Sequence, residues 1–168
     1  NDPNHPVATA HGELPDSAAL AASTNIDLWG LNVYRWDNPE EIFKQWSAVS
    51  EKPIYLSEAG SDSYMSIANH GFAKGENQQA QAKSLNNILK DVFEYKAIST
   101  GVLVFSFTDE LWKAGNPNIQ DVGGWAPASS GVPYDGTANE EYWGLLDVNR
   151  DKKDAFYVLK EFYNNPNN

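Results

Sequence analysis

Four short apolar runs, each followed by a segment of helical period, constrain this chain more than any other feature of it. Residues 6–10 (PVATA), 26–34 (IDLWGLNVY), 53–57 (PIYLS) and 101–107 (GVLVFSF) read as strands. Their nearly continuous apolar character is that of strands covered on both faces. Residues 16–23, 38–49, 76–98 and 151–163 read as helices. Asp16 and Asn38 stand where an N-terminal cap is wanted, and Leu85, Ile88, Leu89, Val92 and Phe93 recur at helical spacing along the longest helix. Strands and helices alternating in this way predict parallel βα units with the helices outside.

A closed (β/α)8 barrel takes about 250 residues, whereas this chain has 168 and holds four units. The expected fold is therefore α/β, a (βα)4 half of a TIM barrel. It forms one domain over residues 1–168 with a long loop, rich in glycine and proline, at about 108–142. Four parallel strands cannot close on themselves, so two strand edges and one apolar sheet face are expected to need a cover. The candidates are an N-terminal half-barrel from outside this sequence and a second copy in a homodimer.

In such folds chemistry sits where the loops that follow the strands converge. The residues expected there are His11 and Glu13, then Asn32, Tyr34, Arg35 and Trp36, then Glu58, and last Thr108, Asp109, Glu110 and Trp112. Aromatic faces stack on the C–H faces of sugar rings, and amides and carboxylates bind hydroxyls, so the mixture suits a neutral carbohydrate. Glu58 ends the buried run KPIYLSE. A carboxylate there is either the first solvated residue of a loop or one of the two carboxyl groups that glycoside hydrolysis needs. Asp109 and Glu110 read more simply as loop anchors or a helix cap.

Composition removes other chemistries. Twelve basic against 23 acidic residues give a net charge of −11, which disfavours nucleic acid and anionic membrane surfaces. No apolar run approaches the roughly 18 residues of a membrane span. Cysteine is absent and the three histidines are scattered, so no metal site is expected; Asp109, Glu110, Asp121 and Asp135 offer oxygen ligands without the spacing of an EF-hand. There is no phosphate loop, dinucleotide fingerprint or Gly-x-Ser-x-Gly elbow, and no cofactor is expected.

Taken in order, DLWGLNVYRW, KPIYLSEAG, VLVFSFTDELWKAG and NEEYWGLLDVNRDKKDAFYVLKEFY resemble strands six, seven and eight and the closing helix of the retaining glycoside hydrolases with (β/α)8 barrels. They are most similar to the β-galactosidase and β-glucuronidase family and its relatives acting on β-glucans, and DPNHPVATAHG resembles the approach to strand five. The resemblance implies Glu58 as nucleophile, Tyr34 as the tyrosine that orients it, and Trp112 as an aromatic floor for the sugar. Asn32, Trp36, His11 and Glu110 are the weaker expected substrate contacts. The family's general acid/base belongs to strand four, which would precede Asn1. The pair Asn139-Glu140 follows the nucleophile, where the family carries an acidic pair outside that role, and is expected to take no part as acid/base.

On this reading the chain alone is poorly active or inactive. The resemblance favours a periplasmic or secreted protein, although residues 1–12 lack the regions of a signal peptide. Two other readings compete: a carbohydrate-binding module that keeps the aromatic rim without catalysis, and a structural half-barrel that serves as an assembly scaffold.

Overall fold

The computed structural model describes residues 4–35, 39–122 and 134–165. Its elements run β1 (Ala8–Gly12), α1 (Ser17–Ala22), β2 (Leu28–Asn32), α2 (Glu40–Val49) and β3 (Ile54–Ala59). A two-stranded antiparallel ribbon follows, β4 (Tyr64–Met65) with β5 (Gly75–Glu76), then α3 (Gln78–Glu94), β6 (Ser99–Val104), a 3-10 turn (Glu140–Tyr142) and α4 (Asp154–Asn164).

Strands β1, β2, β3 and β6 form one parallel sheet in that spatial order, with Ala8 beside Leu28, Trp29 beside Ile54, and Ile54 beside Ser99. This is an α/β partial barrel of four βα units, as the alternation of strands and helices implies. Among the described residues β1 and β6 are the outer strands and do not pair with each other.

Local chemistry sets the boundaries. The Asp16 carboxylate accepts the Ala19 N–H at 2.7 Å and starts α1. Asn77 does the same for Ala80 at 3.1 Å, so α3 begins two residues later than its periodicity suggests. It also ends early, because the Tyr95 carbonyl takes the N–H groups of Ile98 and Ser99 and turns the chain into β6. The expected cap at Asn38 lies outside the described residues; α2 carries Pro39 at its cap position and Glu40 and Glu41 in its first turn, near the positive end of the helix dipole. β1 starts at Ala8 rather than at Pro6. Proline has no N–H for a ladder, and Val7 is held instead by Asp27, giving its N–H to the carboxylate and taking the Asp27 N–H, both at 2.8 Å.

Alternate residues of the central strands, Trp29, Leu31, Ile54 and Leu56, turn toward the helices and pack with Ile42, Phe43 and Trp46 of α2 and Ile88 and Val92 of α3. Phe43 and Trp46 are fully buried, each worth about 1.5–3 kcal/mol of transfer free energy. A second cluster, Leu85, Leu89, Leu145 and Ala155, ties α3 to α4. Burial on both faces does not extend to the last strand: Leu103 is 62% and Phe107 65% exposed. Gly30 interrupts an otherwise bulky strand because a Cβ there would lie 2.2 Å from the Thr9 carbonyl oxygen and 2.6 Å from the Tyr55 ring. Tyr55 lies across that gap and its hydroxyl donates to the Thr9 carbonyl at 3.2 Å.

Candidate active site

The C-terminal end of the sheet is assembled by register. Asn32 stands beside Glu58, and the Glu58 carbonyl takes the Val33 N–H at 2.8 Å, extending the pairing one step past β2. That step delivers Tyr34 to Glu58, and the Tyr34 hydroxyl donates a short hydrogen bond to Glu58 Oε2. On the other side Phe105 gives its N–H to the Ala59 carbonyl at 2.9 Å, an approach that only a glycine at 60 permits, since a Cβ there would meet the Phe105 oxygen at 2.1 Å. The small residues after Glu58 are thus a packing requirement of the strand end.

Aromatic rings fix the Tyr34 side chain. Trp143 and Phe105 meet it edge-on, with centroids at 5.1 and 6.3 Å. Burial, then the bond to Glu58 and its negative charge, push the Tyr34 hydroxyl well above its ordinary value. It is therefore a proton donor at any working pH. Asn32 Oδ1 accepts the Ser57 hydroxyl at 2.7 Å. Arg35 is held by the Glu13 carboxylate, Nη2 to Oε2 at 2.6 Å.

Other residues expected at this rim are distributed differently. His11 packs edge-on against Trp29 at 6.2 Å, on the helix-covered side of the sheet, and its Nδ1 lies 3.1 Å from the Glu13 carbonyl. The structure does not bring it to Glu58. Trp36 lies outside the described residues. Trp112 is 68% exposed, with Lys113 Nζ 4.6 Å above its ring. The same ammonium sits 4.9 Å over Phe105 and 3.6 Å from Glu110 Oε2, a buried oxygen without a hydrogen-bond partner.

Glu140 shares this neighbourhood. Burial raises its carboxyl above the usual carboxylate range; Lys113 works against the rise, and the charges of Glu110 and Glu58 add to it. Periodicity and motif order gave no sign of this proximity, because it depends on how the loop after β6 folds back.

A buried polar frame holds the loop. Asp109 Oδ1 accepts from Lys153 Nζ at 2.7 Å and from the Gly144 N–H at 2.8 Å, the anchoring role expected of it. Lys153, 1% exposed, also donates to the Ser63 hydroxyl and the Tyr142 carbonyl. Desolvation pushes this ammonium down and the Asp109 carboxyl up. Glu141 accepts the N–H groups of Ala114 and Asp121 at 2.9 and 2.6 Å. Asp62 accepts those of Tyr64 and Asn139 at 3.0 and 2.9 Å, and burial pushes its carboxyl up to about 8 despite both bonds. Nothing in the sequence sets Asp62, Ser63, Glu141 and Lys153 apart from exposed polar residues; the one hint is that Ser61-Asp62-Ser63 follows the buried strand after a single glycine. Among the described residues no three carboxylates or histidines stand together as a metal-binding group.

No protein-family model and no curated protein sequence matches the chain. Solved structures do. The chain is similar to a β-galacturonidase from Eisenbergiella tayi, with TM-score 0.55 and 21% identity over 83% of this chain and 24% of that one. It is similar to a β-glucuronidase from Ruminococcus gnavus, with TM-score 0.60 and 19% identity over 94% and 26%. A Rhizomucor miehei β-1,3-glucanosyltransferase gives TM-score 0.57 and 19% identity over 88% and 48%. The chain therefore spans about a quarter to a half of the length of these proteins, and at such identities the shared property is the fold of a glycoside hydrolase TIM barrel.

Proposed function

We propose that the chain is the C-terminal half of the catalytic barrel of a retaining β-glycosidase or transglycosidase, with Glu58 as nucleophile and Tyr34 as the residue that orients it. The observation that carries this reading is the hydrogen bond from the Tyr34 hydroxyl to Glu58 Oε2 at the C-terminal end of a parallel sheet. One carboxylate oxygen is held by a permanent donor. The other is left for attack on the anomeric carbon.

In the reaction Glu58 forms a bond to C1 as the bond from C1 to the leaving oxygen breaks. An acid/base from outside this sequence first protonates the leaving oxygen and then takes a proton from water or an acceptor hydroxyl. Trp112 offers an open ring face to a sugar, while Asn32 and Glu110 offer polar contacts; Trp36 is a lesser candidate, and His11, packed against Trp29, is not one. The open edges at β1 and β6 take the missing half-barrel or a second copy.

The test uses a leaving group that needs no protonation. With 2,4-dinitrophenyl β-glucoside or β-galactoside the chain releases about one equivalent of phenolate and then stalls, because the acid/base that would activate water is lacking. Alkyl β-glycosides give no release. No burst, or a burst that persists in Glu58→Gln, overturns the reading. The exposure of Trp112 favours a second one, a binding module without catalysis. Calorimetry with β-linked oligosaccharides separates the two, since the module keeps its affinity in Glu58→Ala and loses it in Trp112→Ala.

A further inference from the structure

Resting on Glu58 as nucleophile and Tyr34 as the residue that orients it, we infer that the ion pair of Glu13 with Arg35 is a strut for Tyr34, which makes Glu13 a positioning residue of the site. Strand β2 lies between β1 and β3. Its pairing with β3 stops one residue short of Tyr34, since the bond from the Val33 N–H to the Glu58 carbonyl is the last backbone bond between them among the described residues. Tyr34 therefore stands beyond the ladder. Its hydroxyl reaches Glu58 on the β3 side, and on the other side Arg35 reaches Glu13, which directly follows β1. The guanidinium takes both carboxylate oxygens, Nη2 to Oε2 at 2.6 Å and Nε to Oε1 at 3.4 Å. A two-point pair sets angle as well as distance. Ring contacts hold the Tyr34 side chain, and the strut holds the backbone that carries it.

Glu13 is itself anchored at three points. Its N–H donates to the Asn32 carbonyl at 3.2 Å, its carbonyl lies 3.1 Å from His11 Nδ1, and its carboxylate is on Arg35. The backbone there is left-handed, with φ at +72°, a region that strains a residue with a side chain and suits glycine. Gly12, one residue earlier, does not adopt it. Stability gives little reason to keep a glutamate at the strained position, because Arg35 and Glu13 are 27% and 38% exposed and ion pairs so exposed add little. Strain kept without a return in stability, beside the residue that orients the nucleophile, is the pattern of a functional constraint.

Glu13→Gly relieves the backbone and removes the carboxylate, so it separates the two roles. The denaturant midpoint is expected to stay or rise, while the phenolate burst with 2,4-dinitrophenyl β-glucoside slows about 10-fold, within the loss caused by Tyr34→Phe. In the Tyr34→Phe background the same substitution should change the burst rate less than about 2-fold, because the hydroxyl that the strut positions is gone. Arg35→Met keeps Glu13 in place and should repeat the slowing and its disappearance, which decides the matter even where Glu13→Gly folds poorly. A burst of unchanged rate in both variants overturns the strut and leaves Glu58 as nucleophile. The same holds for a slowing of equal size with and without the Tyr34 hydroxyl, and for a midpoint that falls together with the burst in both variants. No burst from the unaltered chain overturns the nucleophile, and the strut with it.

Discussion

Tyr34 and Glu58 stand 24 residues apart in the chain and meet because β2 and β3 run parallel with Asn32 beside Glu58. Removing the hydroxyl leaves the ring and its contacts with Trp143 and Phe105. Tyr34→Phe should therefore fold normally and slow the phenolate burst by about 10- to 100-fold, the worth of a hydrogen bond to a charged group of about 1.5–3 kcal/mol. An unchanged burst rate would contradict the orienting role. Asp62 makes a separate prediction about pH. Its carboxyl titrates near 8 in the folded protein against an ordinary value of 3.8. Protons bound by the folded and not by the unfolded chain make its contribution to stability complete below about pH 4 and progressively lost as pH rises toward 8. Denaturant unfolding between pH 4 and 9 should show that decline, levelling above pH 8. A rise in stability over the same range would mean that the two N–H bonds outweigh burial.

The elements around the site depend on a clasp that no single segment reveals. Lys153 at the entrance of α4 joins Asp109 of the loop after β6, Ser63 of the loop after β3 and the Tyr142 carbonyl. Lys153→Met leaves Asp109 buried without its cation, and unfolding should show a loss of about 3 kcal/mol or more. A loss below about 1 kcal/mol, as for an exposed pair, would contradict the clasp. The βα alternation and the helical faces were legible in the sequence because they rest on periodicity, which local residues set. Glu58 and Tyr34 could be nominated from strand ends and from resemblance. The frame of Asp62, Glu141 and Lys153 was not legible, since a charged side chain carries no mark of whether tertiary structure will bury and pair it. Motif order and the resemblance both put Glu140 outside the acid/base role, and its interaction with Glu58 depends on the fold of its loop.

At the scale of the molecule the four-stranded sheet is open at both ends among the described residues. β1 and β6 are its outer strands, and Leu103 and Phe107 are exposed near one of them. Such edges and apolar side chains favour association. Sedimentation of the purified chain is expected to show at least a dimer, weakened by Leu103→Lys with Phe107→Lys; a strictly monomeric, cooperatively folded species would contradict self-covering. The central claim, that this half-barrel carries a glycosidase nucleophile, is tested most directly by mapping the covalent product. After reaction with 2,4-dinitrophenyl β-glucoside, peptide mass spectrometry should find one hexosyl group, esterified to Glu58 in the segment KPIYLSEAG and missing from Glu58→Gln. A hexosyl group on Glu110 or Glu140, or none on any carboxylate, would contradict it.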